Sequence, residues 1–250
     1  MGGVEDFRPA LTPAVAAEFI GMFLVTFLSS ACAANAADNG LAAAALGTGF
    51  AFAMITYSTV HISGGHLNPA ITAAYMSVQA NGFTVRDGVS YMLAQFSGAI
   101  AGAFLIKSIL PIEALVHPFV TLGSLSDKHG EQVFLLEFIA TLILGLVTFA
   151  TVVDRERNMA DNAAPLTVGL AYTIGMFAVG PYTGGSMNPA RTLGPAVAFG
   201  DLTHVWYYLL ATFLGAIASA FLYKFALGME SDAPVEVAGT DRGTEQKRFA

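Results

Sequence analysis

Long apolar stretches separated by short polar breaks divide this chain. Residues 13–36, 41–60, 88–110, 131–153, 164–179 and 202–227 are the six longest of them. A membrane-spanning helix needs about 20 mostly apolar residues, so the pattern predicts six such helices. Two shorter apolar runs, 69–78 and 189–199, each begin directly after an Asn. At about 1.5 Å per residue each would form a helix about 15 Å long. That is half of the ~30 Å hydrocarbon core. Two half-helices meeting end to end at the midplane would together cross it. Residues 1–12 read as a polar tail, 13–228 as one membrane domain, and 229–250 as a disordered polar tail.

The two short runs share a signature. Gly64, Gly65, Asn68, Pro69, Ala70 and Thr72 recur 120 positions later as Gly184, Gly185, Asn188, Pro189, Ala190 and Thr192. Glycine pairs let a chain bend tightly and approach a ligand closely. Asn is a favoured helix N-cap and Pro is favoured at the first helical position. Each Asn-Pro-Ala is therefore expected to open a helix, with an amide at its positive end.

The repetition extends beyond the turns. Glu18-Phe19-Ile20 returns as Glu137-Phe138-Ile139, and residues 95–104 return as 212–221 with seven of ten positions identical. The repeats cover about 13–110 and about 131–228. Each holds three spanning helices and one half-helix. Three is odd, so the second copy must be inverted relative to the first. Inverted repeats of this kind place their site at the midplane, at broken helices. The class is an all-α membrane protein with six transmembrane helices and two half-helices.

Composition agrees. Of 250 residues 55% are hydrophobic and only 12% charged, against roughly a quarter charged in soluble proteins. Mean hydropathy is +0.62. The net charge of −7 argues against nucleic acid as a partner. The lone Cys32 permits no intrachain disulfide. Basic residues set the orientation. With both termini in the cytoplasm, that side carries Arg8, Arg86, Arg155, Arg157, Lys224, Arg242, Lys247 and Arg248, against Lys107 and Lys128 opposite. Small residues at helix-packing spacing, Ala94, Gly98 and Gly102 with Gly215 and Ser219, allow close helix contact.

Glu18 and Glu137 hold equivalent places in apolar helices. Intramembrane carboxyls are costly. Their symmetry points to support of the irregular loops before Asn68 and Asn188, whose backbone must be satisfied inside the protein. His66 is expected to tether the first turn, and His61 to face the cytoplasmic mouth. No metal-ligand spacing, nucleophile–base cluster or glycine-rich phosphate loop is present. No enzyme, metal or cofactor is expected. The alternative is an inverted-repeat secondary transporter with the two Glu residues as proton carriers.

Two Asn-Pro-Ala turns on an inverted repeat, with Arg191 directly after the second, resemble the aquaporin family. Residues 61–70 and 180–201 are most similar to its plant tonoplast intrinsic branch. The resemblance implies a passive channel for water in a lipid bilayer, built as a homotetramer. The pore motifs would be Asn68, Pro69, Ala70, Asn188, Pro189 and Ala190. Counting back from the two Asn residues, the family's selectivity filter falls on Thr48, Met176, Gly185 and Arg191. His117 stands where ammonia-permeable relatives carry a filter-reaching His. The set lacks the aromatic and histidine of strict water channels. It implies a wider filter that also passes small neutral solutes such as ammonia, urea, hydrogen peroxide or glycerol, but no protons or ions. Vacuolar and plasma membrane locations both stay open.

Overall fold

The computed structural model describes residues 11–110, 121–154 and 160–228. Residues 1–10, the tail 229–250 and His117 fall outside the described residues, and Leu11 and Thr12, read as tail, begin the first helix. The described part consists of helices α1 (Leu11–Ala34), α2 (Ala36–Ser63), α3 (Pro69–Val78), α4 (Val85–Ile109), α5 (Gly130–Thr148), α6 (Ala164–Thr183), α7 (Pro189–Phe199) and α8 (Val205–Phe221). Wider π-type turns extend α5 through Val153 and α8 through Ala226. Six helices are long and apolar enough to cross a membrane. The two that are not, α3 and α7, have 10 and 11 residues.

Helix ends differ from the hydrophobic pattern wherever polar capping takes over. α4 begins at Val85 rather than at residue 88. Thr84 Oγ1 accepts from the Asp87 N–H, and the Asp87 carboxyl accepts from the Thr84 N–H, a reciprocal cap made of residues that look like loop. α8 begins at Val205 rather than at 202, because Asp201 Oδ1 accepts from the Thr203 N–H and holds a turn there. α6 runs to Thr183, passing through Pro181, and ends on Gly184 at φ +88°. α2 ends likewise on Gly64 at φ +89°. That left-handed geometry suits glycine.

The packing obeys an exchange rule. α1 lies on α4 as α5 lies on α8. α3 packs on α8 as α7 packs on α4. α2 meets α6, its own counterpart, at the centre. The two copies are therefore interlocked, each half-helix seated against the last spanning helix of the other repeat. Close backbone approach makes this possible. A Cβ on Gly98 would collide with the Phe19 carbonyl, and one on Gly215 with the Phe138 carbonyl. At the centre, Gly49 and Gly169 each abut the other's carbonyl. Without a hydrophobic drive between helices in lipid, such contacts carry the association.

The far ends of the half-helices are held across the repeat as well. Lys224 Nζ donates to the Val78 carbonyl at 3.1 Å, and Lys107 Nζ donates to the Ala198 carbonyl at 2.6 Å. A cation at a helix C-terminus satisfies orphan carbonyls and complements the macrodipole. Large apolar side chains point outward, Leu93 and Ile174 each at 65% exposure, while Glu18, Gln95, Glu137, Asn68 and Asn188 are fully buried. This inversion suits lipid outside and a polar axis inside.

Gly98→Leu should lower stability by about 1–3 kcal/mol or more, since the collision is with backbone. Gly180→Ala, whose Cβ would meet only the tip of Leu41, is the control. Thermal melting in detergent checks both; equal midpoints would remove close α1–α4 contact as a source of stability.

Candidate functional site

The centre of the molecule is two loops, 64–68 and 184–188, that enter from opposite ends. Neither is helical, and both lie buried among helices. Two consecutive N–H groups of each loop go to one carboxyl. Glu18 accepts from the His66 N–H at 2.9 Å, the Leu67 N–H at 2.7 Å, Ser63 Oγ at 2.6 Å and Gln95 Nε2 at 2.7 Å. Glu137 accepts from the Ser186 N–H at 2.8 Å, the Met187 N–H at 2.9 Å and Thr183 Oγ1 at 2.6 Å. Two tyrosines brace the loop bases: Tyr91 donates to the Ser63 carbonyl at 2.9 Å, and Tyr208 to the Thr183 carbonyl at 2.7 Å. His66 Nδ1 pairs with Thr72 Oγ1 at 3.1 Å, and its ring lies 4.0 Å from that of Tyr75.

Leu67 and Met187, just before the asparagines, hold φ values of +46° and +52°. Such geometry is unfavourable for bulky residues and persists only where surroundings enforce it. Here the Glu18 and Glu137 bonds do so. The twist aims each carbonyl at the opposite half-helix. Asn68 Nδ2 donates to the Met187 carbonyl at 2.8 Å, and Asn188 Nδ2 donates to the Leu67 carbonyl at 2.8 Å. Each Asn Oδ1 caps its own helix, accepting from the Ala70 or Ala190 N–H at 2.9 Å; Asn188 also accepts from the Arg191 N–H. Pro69 and Pro189 follow at the first helical turn.

A residue that the sequence reading passed over stands between the two asparagines. Tyr172 of α6 accepts at Oη from Asn68 Nδ2 at 2.7 Å and from Asn188 Nδ2 at 3.4 Å. Its ring stacks on Phe52 of α2, with centroids 3.6 Å apart and planes within 9°. The signal was present in the repeat. Phe52 lies 16 positions before Asn68, and Tyr172 lies 16 before Asn188. Matched aromatics in two spanning helices read as packing until their partners are known.

On one side of this centre, Arg191 Nη1 donates to the Gly185 carbonyl at 2.7 Å, and Nη2 lies 3.9 Å from Met176 Sδ. Hydrogen bonding thus joins Arg191, Gly185 and Met176. Thr48 is fully buried in α2, and no hydrogen bond ties it to that group. Thr48 Oγ1 and Arg191 Nε are buried without a partner among the described residues. On the other side lies a mouth of about 1370 Å³, with His61, Ser63, His66, Phe83 and Arg86 on its wall. Next to it, sharing the wall residues Gly64, His66, Tyr75 and Val152, is a neck of about 20 Å³ lined in part by Tyr172. Among the described residues, no group of three or more His, Cys, Asp or Glu could hold a metal ion.

Comparison with known proteins gives a consistent result. The family model of the major intrinsic proteins matches residues 7–223. Aquaporin NIP3-1 of Zea mays is 36% identical over 222 residues, covering 86% of this chain and 70% of that protein. The probable aquaporin TIP2-2 of Oryza sativa subsp. japonica is 32% identical over 240 residues, covering 92% and 94%. Similarity thus extends to plant NIP as well as TIP members. The crystal structure of the aquaglyceroporin from Plasmodium falciparum superposes with a TM-score of 0.75 at 26% identity, covering 88% of this chain and 98% of that one.

Glu137→Ala strands two buried backbone donors, at about 1–3 kcal/mol each. It should lower stability by roughly 2–6 kcal/mol on that principle, and Glu137→Gln, which keeps one acceptor oxygen, by less. Folded yield and the melting midpoint in detergent measure this. An alanine variant as stable as the parent would refute the supporting role.

Proposed function

This chain belongs to the major intrinsic protein family, the aquaporins, and from that premise we propose that it is a passive channel for water and small neutral solutes that excludes protons and ions. The observation carrying this reading is the reciprocal bonding of the two half-helix starts. Asn68 donates to the Met187 carbonyl, and Asn188 to the Leu67 carbonyl, so both positive helix ends converge on one point. Each end carries about half a positive charge. A cation brought there meets two repelling dipoles, and a water would accept hydrogen bonds through its oxygen, with both of its hydrogens turned away. Such an orientation breaks a proton wire while neutral molecules pass. Half-helix dipoles are an established means of excluding protons and cations.

The filter in this reading is Arg191 with Met176, Gly185 and Thr48. Its unpaired Arg191 Nε and Thr48 hydroxyl are donors that a solute oxygen could satisfy. Gly185 contributes no side chain and Met176 a flexible apolar one, which supports passage of ammonia, urea, hydrogen peroxide or glycerol beside water. In the same reading His117, which lies outside the described residues, belongs to the filter. The same reading has both termini in the cytoplasm, as the distribution of basic residues supports, and a homotetrameric assembly. A transporter using Glu18 and Glu137 as carriers is less well supported, because both carboxyls are engaged in holding loop backbone.

In proteoliposomes the protein should raise osmotic water permeability above that of empty vesicles and carry no proton current. A proton conductance that scales with protein amount would overturn the dipole argument. At the filter, Thr48→Phe should reduce glycerol or urea flux several-fold more than water flux. Met54→Phe, on the outward-facing side of α2, is the control. Unchanged solute-to-water ratios in Thr48→Phe would remove Thr48 from the filter.

A further inference from the structure

We propose that Tyr172 is the residue that governs passage through the midplane: its phenol occupies the place where a permeating molecule would meet the two asparagines, and flow requires the ring to leave. The inference rests on the channel reading and adds a determinant to it.

The side-chain N–H groups of both asparagines have identified partners. A side-chain amide has two N–H groups to offer. Asn68 gives one to the Met187 carbonyl and the other to Tyr172 Oη. Asn188 gives one to the Leu67 carbonyl, and the other points to Tyr172 Oη at 3.4 Å, with Met22 Sδ at 3.8 Å on the same nitrogen. The carbonyl bonds lock the half-helices together. The remaining N–H of each amide is the one that could hold a passing water; the phenol oxygen takes that of Asn68 at 2.7 Å and shares that of Asn188 with Met22 Sδ.

Space is taken as well. Tyr172 and Phe52 are each 1% exposed, and their rings stack face to face. The neck next to the large mouth holds about 20 Å³, room for roughly one water, and Tyr172 forms part of its wall. Arg191, Gly185 and Met176 lie one helical turn further along, since Met176 follows Tyr172 by four residues on α6. The ring therefore stands between the mouth and the filter. Phe52, at the equivalent place in the first repeat, has the same bulk but no oxygen. So the phenol of the second repeat serves both asparagines, and the phenyl of the first supplies only a surface on which that ring is held.

Two contributions hold the ring in place, and they can be separated. The hydroxyl latches it to the asparagines; the stack on Phe52 positions it. Tyr172→Val removes both bulk and latch, and should raise water permeability per protein at least about fivefold. Its flux should also depend less steeply on temperature, because no ring need move. Tyr172→Phe keeps the bulk and loses the latch, and should give a smaller rise. Phe52→Ala leaves the latch and removes the stack, and should also raise flux; it serves as the test if Tyr172→Val proves unstable. Size-exclusion profiles and melting midpoints confirm that the variants compared are folded. The experiment is stopped-flow light scattering on proteoliposomes of wild type and variants, with water and glycerol as probes. If wild type conducts and folded Tyr172→Val and Phe52→Ala match it in rate and temperature dependence, Tyr172 is no gate and the inference falls. If neither wild type nor any variant passes water or glycerol, the channel reading falls instead.

Discussion

Backbone polar groups at the centre of a bilayer have no water to bond, and this constraint shapes the whole molecule. Two non-helical loops reach the middle of the protein, where each unmet N–H would cost several kcal/mol. Glu18 and Glu137 meet that demand, each accepting from two consecutive loop N–H groups. With those bonds in place, Leu67 and Met187 can hold their unfavourable backbone angles. Their carbonyls then face the opposite half-helix and receive the asparagine amides. Remove the carboxyls and the sequence of dependence fails from its first step.

Inversion turns one solution into two. Because the second copy is upside down, the same loop design enters from both ends, and the two helix starts meet instead of lying side by side. The meeting point is polar, positively biased and fully buried. The lipid-facing side is carried by side chains that make no such demands. Division of labour between a polar axis and an apolar rim explains how so few charged residues suffice.

Much of this arrangement was legible in the chain. The half-helices could be read because Asn-Pro-Ala carries its own capping logic. The six spans could be read because their apolar runs are long. Glu18 and Glu137 stood out as carboxyls where none are comfortable. The exact helix ends could not be read, since Thr84 and Asp87 resemble loop until their reciprocal bonds are seen. Tyr172 was missed for a different reason. An aromatic in an apolar helix has packing as its ordinary meaning, and only three-dimensional register shows that its oxygen lies beside two amides from distant loops. Thr48, Met176 and Gly185 were reached only through family resemblance, because small and apolar side chains carry no chemistry of their own to announce a filter.

The lysine caps carry an implication for how the chain is assembled. The first half-helix is complete early in the sequence, yet its final carbonyl is bound by Lys224, near the end of the last spanning helix. Its opening asparagine likewise waits for the Met187 carbonyl. During synthesis the segment 69–78 is thus made, and its loop can bond to Glu18, long before Met187 and Lys224 exist. The bond from Lys224 can form only after α8 has entered the bilayer. The last helix to arrive thus fastens the far end of the first half-helix made.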